Sequence, residues 1–85
     1  MARYFFHTEN GDRHSDEDGL ELPDLAAVKR EAIKALSEML RNRGDRFWEN
    51  NSFRLIVTDE KGLILYVLDV NGVEAPAVRP ASPQA

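Results

Sequence analysis

Cysteine is absent from the chain, which excludes a disulfide framework, a thiolate nucleophile and a cysteine-ligated zinc. Long apolar runs are lacking too: the longest, Leu63 to Leu68, has six residues, where a membrane-crossing helix needs about 20. No basic stretch leads into an apolar run at the start, so no secretory leader is expected; the expected compartment is cytoplasmic. Basic residues are outnumbered, eleven against fifteen acids, and the net charge of −4 sets the chain as a whole against nucleic acid and anionic lipid. There is no glycine-rich phosphate loop and no Gly-x-Ser-x-Gly elbow. Ser15 adjoins His14, but strand alternation sends neighbours to opposite faces, and no pattern brings Ser37 or Ser52 to a histidine. The chain is therefore not expected to be an enzyme, and no cofactor is implied. What is present, 42% hydrophobic and 31% charged residues over 85 positions, is the composition of one small globular domain.

The aromatic stretch Arg3 to Thr8 precedes Asn10-Gly11, the favoured pair for a two-residue type I′ turn. It predicts a hairpin, with a weak second strand from Arg13, a turn or bulge over residues 15–19, and extended structure again at Leu20-Glu21-Leu22. Pro23-Asp24 announces a helix, because proline disfavours the helical state at Leu22 and the Asp24 carboxylate can accept from first-turn amides. Leu25, Val28, Ala32, Ile33, Leu36, Met39 and Leu40 draw one stripe at helical spacing. Gly44 is the expected residue past the helix end. Residues 47–51 read as a connector, 52–58 as a strand with Phe53, Leu55 and Val57 on one face, and 63–68 as another. The turn between those strands is too short for anything but antiparallel pairing. The prediction is an α+β fold of order ββαββ, an antiparallel sheet with one long helix over 25–43 packed on one face through Leu25, Val28, Ala32, Leu36, Met39 and Leu40. The domain is expected over 1–70, followed by a Pro-rich, disordered tail over 71–85.

The blocks Met1-Ala2-Arg3-Tyr4-Phe5-Phe6-His7, Asp18-Gly19-Leu20-Glu21-Leu22-Pro23-Asp24-Leu25 and Val57-Thr58-Asp59-Glu60-Lys61-Gly62 resemble a family of short bacterial proteins of unknown function. That resemblance implies neither an activity nor catalytic residues. A looser likeness, over about residues 18–36, is to the N-terminal domain of HicB-type antitoxins, which also run a strand hairpin through a Leu-Pro-Asp-Leu turn into a helix.

Four constellations bear on function. With a two-residue turn at Asn10-Gly11, His7 faces His14, near enough for two imidazoles to share a divalent metal; against this, structural metal sites usually need four ligands. The seven acids of residues 9–24 do not fit a calcium loop, because aligning Gly19 with its central glycine puts His14 first and Leu25 twelfth. Arg41, Arg43 and Arg46, with Trp48 just beyond, could meet phosphates and stack a base, though exposed basic residues are also the ordinary solvated face of a helix. Arg79-Pro80-Ala81-Ser82-Pro83 matches a PxxP ligand only superficially.

Burial gives the best functional clue. Leu63 to Leu68 is apolar on both faces and Phe5 and Ile56 add to the second, yet one helix covers only one face of a sheet. An uncovered apolar patch marks an interaction surface. The sequence therefore reads as a non-enzymatic protein-interaction or regulatory module, a homodimer or the partner of another protein. Phe5, Ile56, Leu63, Leu65 and Val67 are its candidate contacts, through the second sheet face or an exposed edge.

Overall fold

The computed structural model describes residues 1–78; the PxxP-like segment lies outside the described residues. The strands are β1 (Ala2–Glu9), β2 (Arg13–His14), β3 (Leu20–Leu22), β4 (Ser52–Thr58) and β5 (Ile64–Asn71), and the helices are α1 (Leu25–Asn42) and α2 (Gly44–Asn50). They form an α+β fold, a five-stranded antiparallel sheet in the order β2-β1-β4-β5, with β3 on the same outer edge of β1 as β2.

Asp24 caps α1 in an extended conformation, its carboxylate accepting from the Ala27 N–H at 2.8 Å. The buried face of α1 is Ala27, Val28, Ala32 and Met39. Leu25 and Ile33 are half-exposed, so Leu25 is not the core residue it was expected to be. Gly44 follows the Arg43 C-cap of α1, as expected, but the connector expected at 47–51 is instead α2, which begins at that glycine. Phe47 is the reason. It is buried with Met39 and Phe53, its ring edge-on to Phe53 at 5.1 Å, and one more helical turn carries it there.

Phe53, Leu55 and Val57 are all fully buried, as their alternation predicts. Val28 and Ala32 pack on Leu55 and Val57, flanked by Tyr4, Phe6, Tyr66 and Leu68. This row fixes the phase of the sheet. Even-numbered residues of β1, odd-numbered residues of β4 and Tyr66, Leu68 and Val70 of β5 face the helices.

The backbone follows the same alternation. Phe6 N–H turns away from β4 and donates to the Asp16 carboxylate at 3.1 Å, so Phe5, His7 and Glu9 direct their backbone groups at β4. In register across β4, the groups of Phe53, Leu55 and Val57 point at Val70, Leu68 and Tyr66. Gly72 N–H, bonded to Asn51 O at 2.9 Å, continues that phase. The N–H and C=O groups of Val67, Asp69 and Asn71 therefore point outward, where no strand pairs with β5 among the described residues.

Candidate interaction surface

The hairpin register differs from the expected one. Thr8 pairs with His14 and Glu9 with Arg13, leaving a three-residue loop, Asn10-Gly11-Asp12, with Gly11 at φ 102°. Asn10 is buried and its carbonyl accepts from Asn50 of α2 at 2.9 Å, a tertiary bond that selects the longer loop. His7 and His14 consequently stand on opposite faces of the sheet, and the pairing that would let them share a metal does not form. No group of three or more metal-ligating side chains occurs among the described residues.

His7 is engaged elsewhere. Its Nδ1 accepts from the Asp16 N–H at 3.0 Å, which places the proton of the neutral ring on Nε2, donating to Thr58 Oγ1 at 3.0 Å. Asp16 is the hub of this edge. Besides Phe6 N–H, its carboxylate accepts from Asp18 N–H and Gly19 N–H, both at 3.1 Å. Burial pushes the Asp16 carboxyl up, but these three amides outweigh it and hold the group below the ordinary carboxylate range. Gly19 closes the turn at φ 71°, and a Cβ there would meet the Phe5 ring at 2.8 Å. The outer edge of β1 is thus covered along its length, by β3 at one end, by Asp16 in the middle and by β2 at the other.

The second sheet face is not a continuous apolar patch. Phe5 is half-buried beneath the Gly19 turn, and Ile56 is buried between His7 and Val67. Toward α2 the face turns polar. Arg54 holds Asp69 through two hydrogen bonds, at 2.8 and 3.1 Å, with Glu9 4.0 Å away. The bond to Arg54 lowers the Asp69 carboxyl below its usual range, and the same bond raises the guanidinium. These groups border a polar depression of about 430 Å³ in which acids and bases are mixed.

Of the expected contacts, Leu63 lies exposed in the β4–β5 turn and Val67 is 48% exposed on the second face. Leu65 lies elsewhere. The ladder slips between Val57 and Thr58, whose partners are Tyr66 and Ile64, so Leu65 is the extra residue of a bulge. It turns to the helix side, bordering a depression with Leu25 and Tyr4. Sequence reasoning missed Ile64, 58% exposed, and Ile33, 56% exposed. Ile33 lines an apolar groove of about 310 Å³ between α1 and β5, with Ala32, Tyr66, Val67 and Leu68. Lys29 closes one side, its Nζ 5.5 Å from the Tyr66 ring centre. The signal for this groove was the breadth of the α1 stripe, since Ala32 and Ile33 are adjacent and a single line of contact cannot bury both.

Arg41, Arg43, Arg46 and Trp48 are all exposed near the α1–α2 junction. Arg46 lies 3.7 Å from Glu49, and Trp48 rests edge-on against Phe47 at 5.2 Å.

No helix among the described residues is long and apolar enough to cross a membrane. No curated protein and no solved structure matches the chain. A family model does, over residues 3–76, taking in both helices and every strand but the first residue of β1. The chain belongs to that family, the domain of unknown function DUF6894.

Proposed function

We propose that this domain is a non-enzymatic protein-interaction module of the cytoplasm that acts as a homodimer. One observation carries the reading: the exposed apolar side chains Ile33, Leu63, Ile64 and Val67 collect around β5, whose outer edge is unpaired among the described residues. Apolar groups scattered singly need no explanation, but grouped along an unpaired strand they mark a contact surface. The test is the mass in solution, by size-exclusion chromatography with light scattering over a wide concentration range. The expected species is a dimer of twice the 9.6 kDa chain, about 19 kDa. Val67→Lys is expected to shift it to the monomer with an unchanged circular-dichroism spectrum, since Val67 lies outside the core clusters. A monomer at every concentration overturns the proposal.

Nucleic-acid binding is a second reading, favoured by Trp48, 57% exposed, two residues after Arg46 and five after Arg43. Asp45 and Glu49 interrupt that patch, so it ranks below the first. It requires salt-dependent binding of a single-stranded oligonucleotide that is lost on reversing the charges of Arg41, Arg43 and Arg46.

A further inference from the structure

We infer that two copies of this chain join edge to edge through β5, antiparallel about a twofold axis at Val67, making one continuous sheet. The inference rests on the homodimer reading and names the surface and register that reading leaves open.

The two sheet edges differ. The outer edge of β1 is covered by two short strands and a carboxylate. The outer edge of β5 has no such cover among the described residues, and its eight residues contain neither lysine nor proline. Its single charge, Asp69, is held by Arg54 on the second face. Its bulge sits at the start of the strand, leaving Tyr66 to Asn71 regular. Lysine, proline and mid-strand bulges are the devices that keep free edges from pairing. An edge without them pairs with whatever strand it meets, and the strand present wherever this chain is present is its own copy.

The outward groups then limit the register. They belong to Val67, Asp69 and Asn71, so an antiparallel mate must bond to these odd-numbered positions. An axis at Asp69 would set the two Asp69 side chains directly opposite each other, a like-charge pairing that destabilises a sheet. An axis at Leu68 would pair Val67 with the charged Asp69 of the second copy twice on the second face, whereas an axis at Val67 brings Asp69 only beside the bulge, whose Leu65 side chain turns to the helix side. An axis at Val67 opposes Val67 to Val67 on the second face. On the helix side it sets Tyr66 against Leu68 of the second copy, twice. Those two side chains already line the groove under Ile33, so the second copy's pair extends its apolar floor.

The test uses cross-linking in the full chain, which has no native cysteine. Opposed residues on the axis have α-carbons about 5.5 Å apart, within disulfide range. Val67→Cys is therefore expected to form a covalent dimer on mild oxidation, whereas Asp69→Cys, each copy's lying opposite residue 65 of the other, is not. A second variant, Val67→Pro, removes only an outward N–H and leaves the bonds to β4 in place; a folded monomer is expected. Cross-linking by Asp69→Cys but not Val67→Cys overturns the register. A dimer that neither cysteine cross-links, and that persists in Val67→Pro, overturns edge pairing while leaving the homodimer reading intact. A monomeric parent chain overturns both.

Discussion

Asp16 bears more of the structure than its place in an acidic loop would lead one to expect, and Asp16→Ala measures how much. The substitution strips the acceptor from three backbone amides at once. Asp18 N–H is exposed and rehydrates at little cost. The amides of Phe6 and Gly19 are partly buried, and Phe6 N–H lies on the outer edge of β1 between the pairings with β2 and β3. At about 1–1.5 kcal/mol for each partly buried amide left unmade, the loss is roughly 2–3 kcal/mol. For a domain of this size that corresponds to a fall of about 8–24 °C in Tm. The assay is urea unfolding at a fixed protein concentration, since assembly adds its own concentration-dependent stability. Asp16→Asn keeps one oxygen and is expected to lose about half as much. Asp18→Asn is the control, because the Asp18 carboxylate has no hydrogen-bond role in the turn. The effect also has a pH signature. The folded-state carboxyl lies below its ordinary 3.8, so the contribution of the ionised form is fully present above about pH 4 and is lost as the pH falls through the folded value. The gap between parent and Asp16→Ala should therefore be flat from neutral pH to about 5 and shrink below 4. An Asp16→Ala protein within about 0.5 kcal/mol of the parent at pH 7 would refute the view that this carboxylate seals the edge of β1.

Other substitutions probe separate parts of the fold. Gly72→Ala places a Cβ 2.6 Å from the Phe47 ring and 2.9 Å from Trp48, so a loss of roughly 1–3 kcal/mol and a changed tryptophan emission are expected from overpacking. Asp24→Ala removes the α1 cap and should cost about 1 kcal/mol in the same unfolding assay. Zinc titration followed by histidine NMR signals is expected to give His14 the same response in the parent and in His7→Ala, because the two rings occupy opposite faces; a His14 response that depends on His7 would contradict the observed register.

The local devices of this fold were legible in the sequence. Pro23-Asp24 marked the start of α1 and the alternation of Phe53, Leu55 and Val57 marked the buried row of β4, because capping and two-residue periodicity are written within a few positions. The losses came wherever a distant residue decided between local options. Asn10-Gly11 favours a two-residue turn on its own, but the Asn50 amide, 40 residues away, holds the Asn10 carbonyl and draws a third residue into the loop. That one-residue shift parted His7 from His14. Residues 47–51 have no strong helical pattern, and it is the pocket made by Met39 and Phe53 that winds them into α2. The Asp16 turn had a partial signal, an aspartate two residues before Asp18-Gly19, which is the spacing of a side chain capping its own backbone.

The outer edge of β5 illustrates the limit most sharply. Leu63 to Leu68 reads as apolar on both faces, and a sequence can state that surplus without saying where it goes. The bulge at Leu65 settles it, since one extra residue turns that side chain to the helix side and leaves Val67 on the other. The surplus is therefore concentrated at the rim of the sheet, in Ile64, Val67 and the groove beneath Ile33, and the second face is left to Ile56, His7 and the Arg54–Asp69 pair. A broad face would accept partners at many angles, because apolar contact has no direction. A strand edge accepts an extended chain in one of two senses and in registers two residues apart, and here charge removes the register centred on Asp69. The same bulge thus exchanges an indiscriminate apolar surface for a directional one.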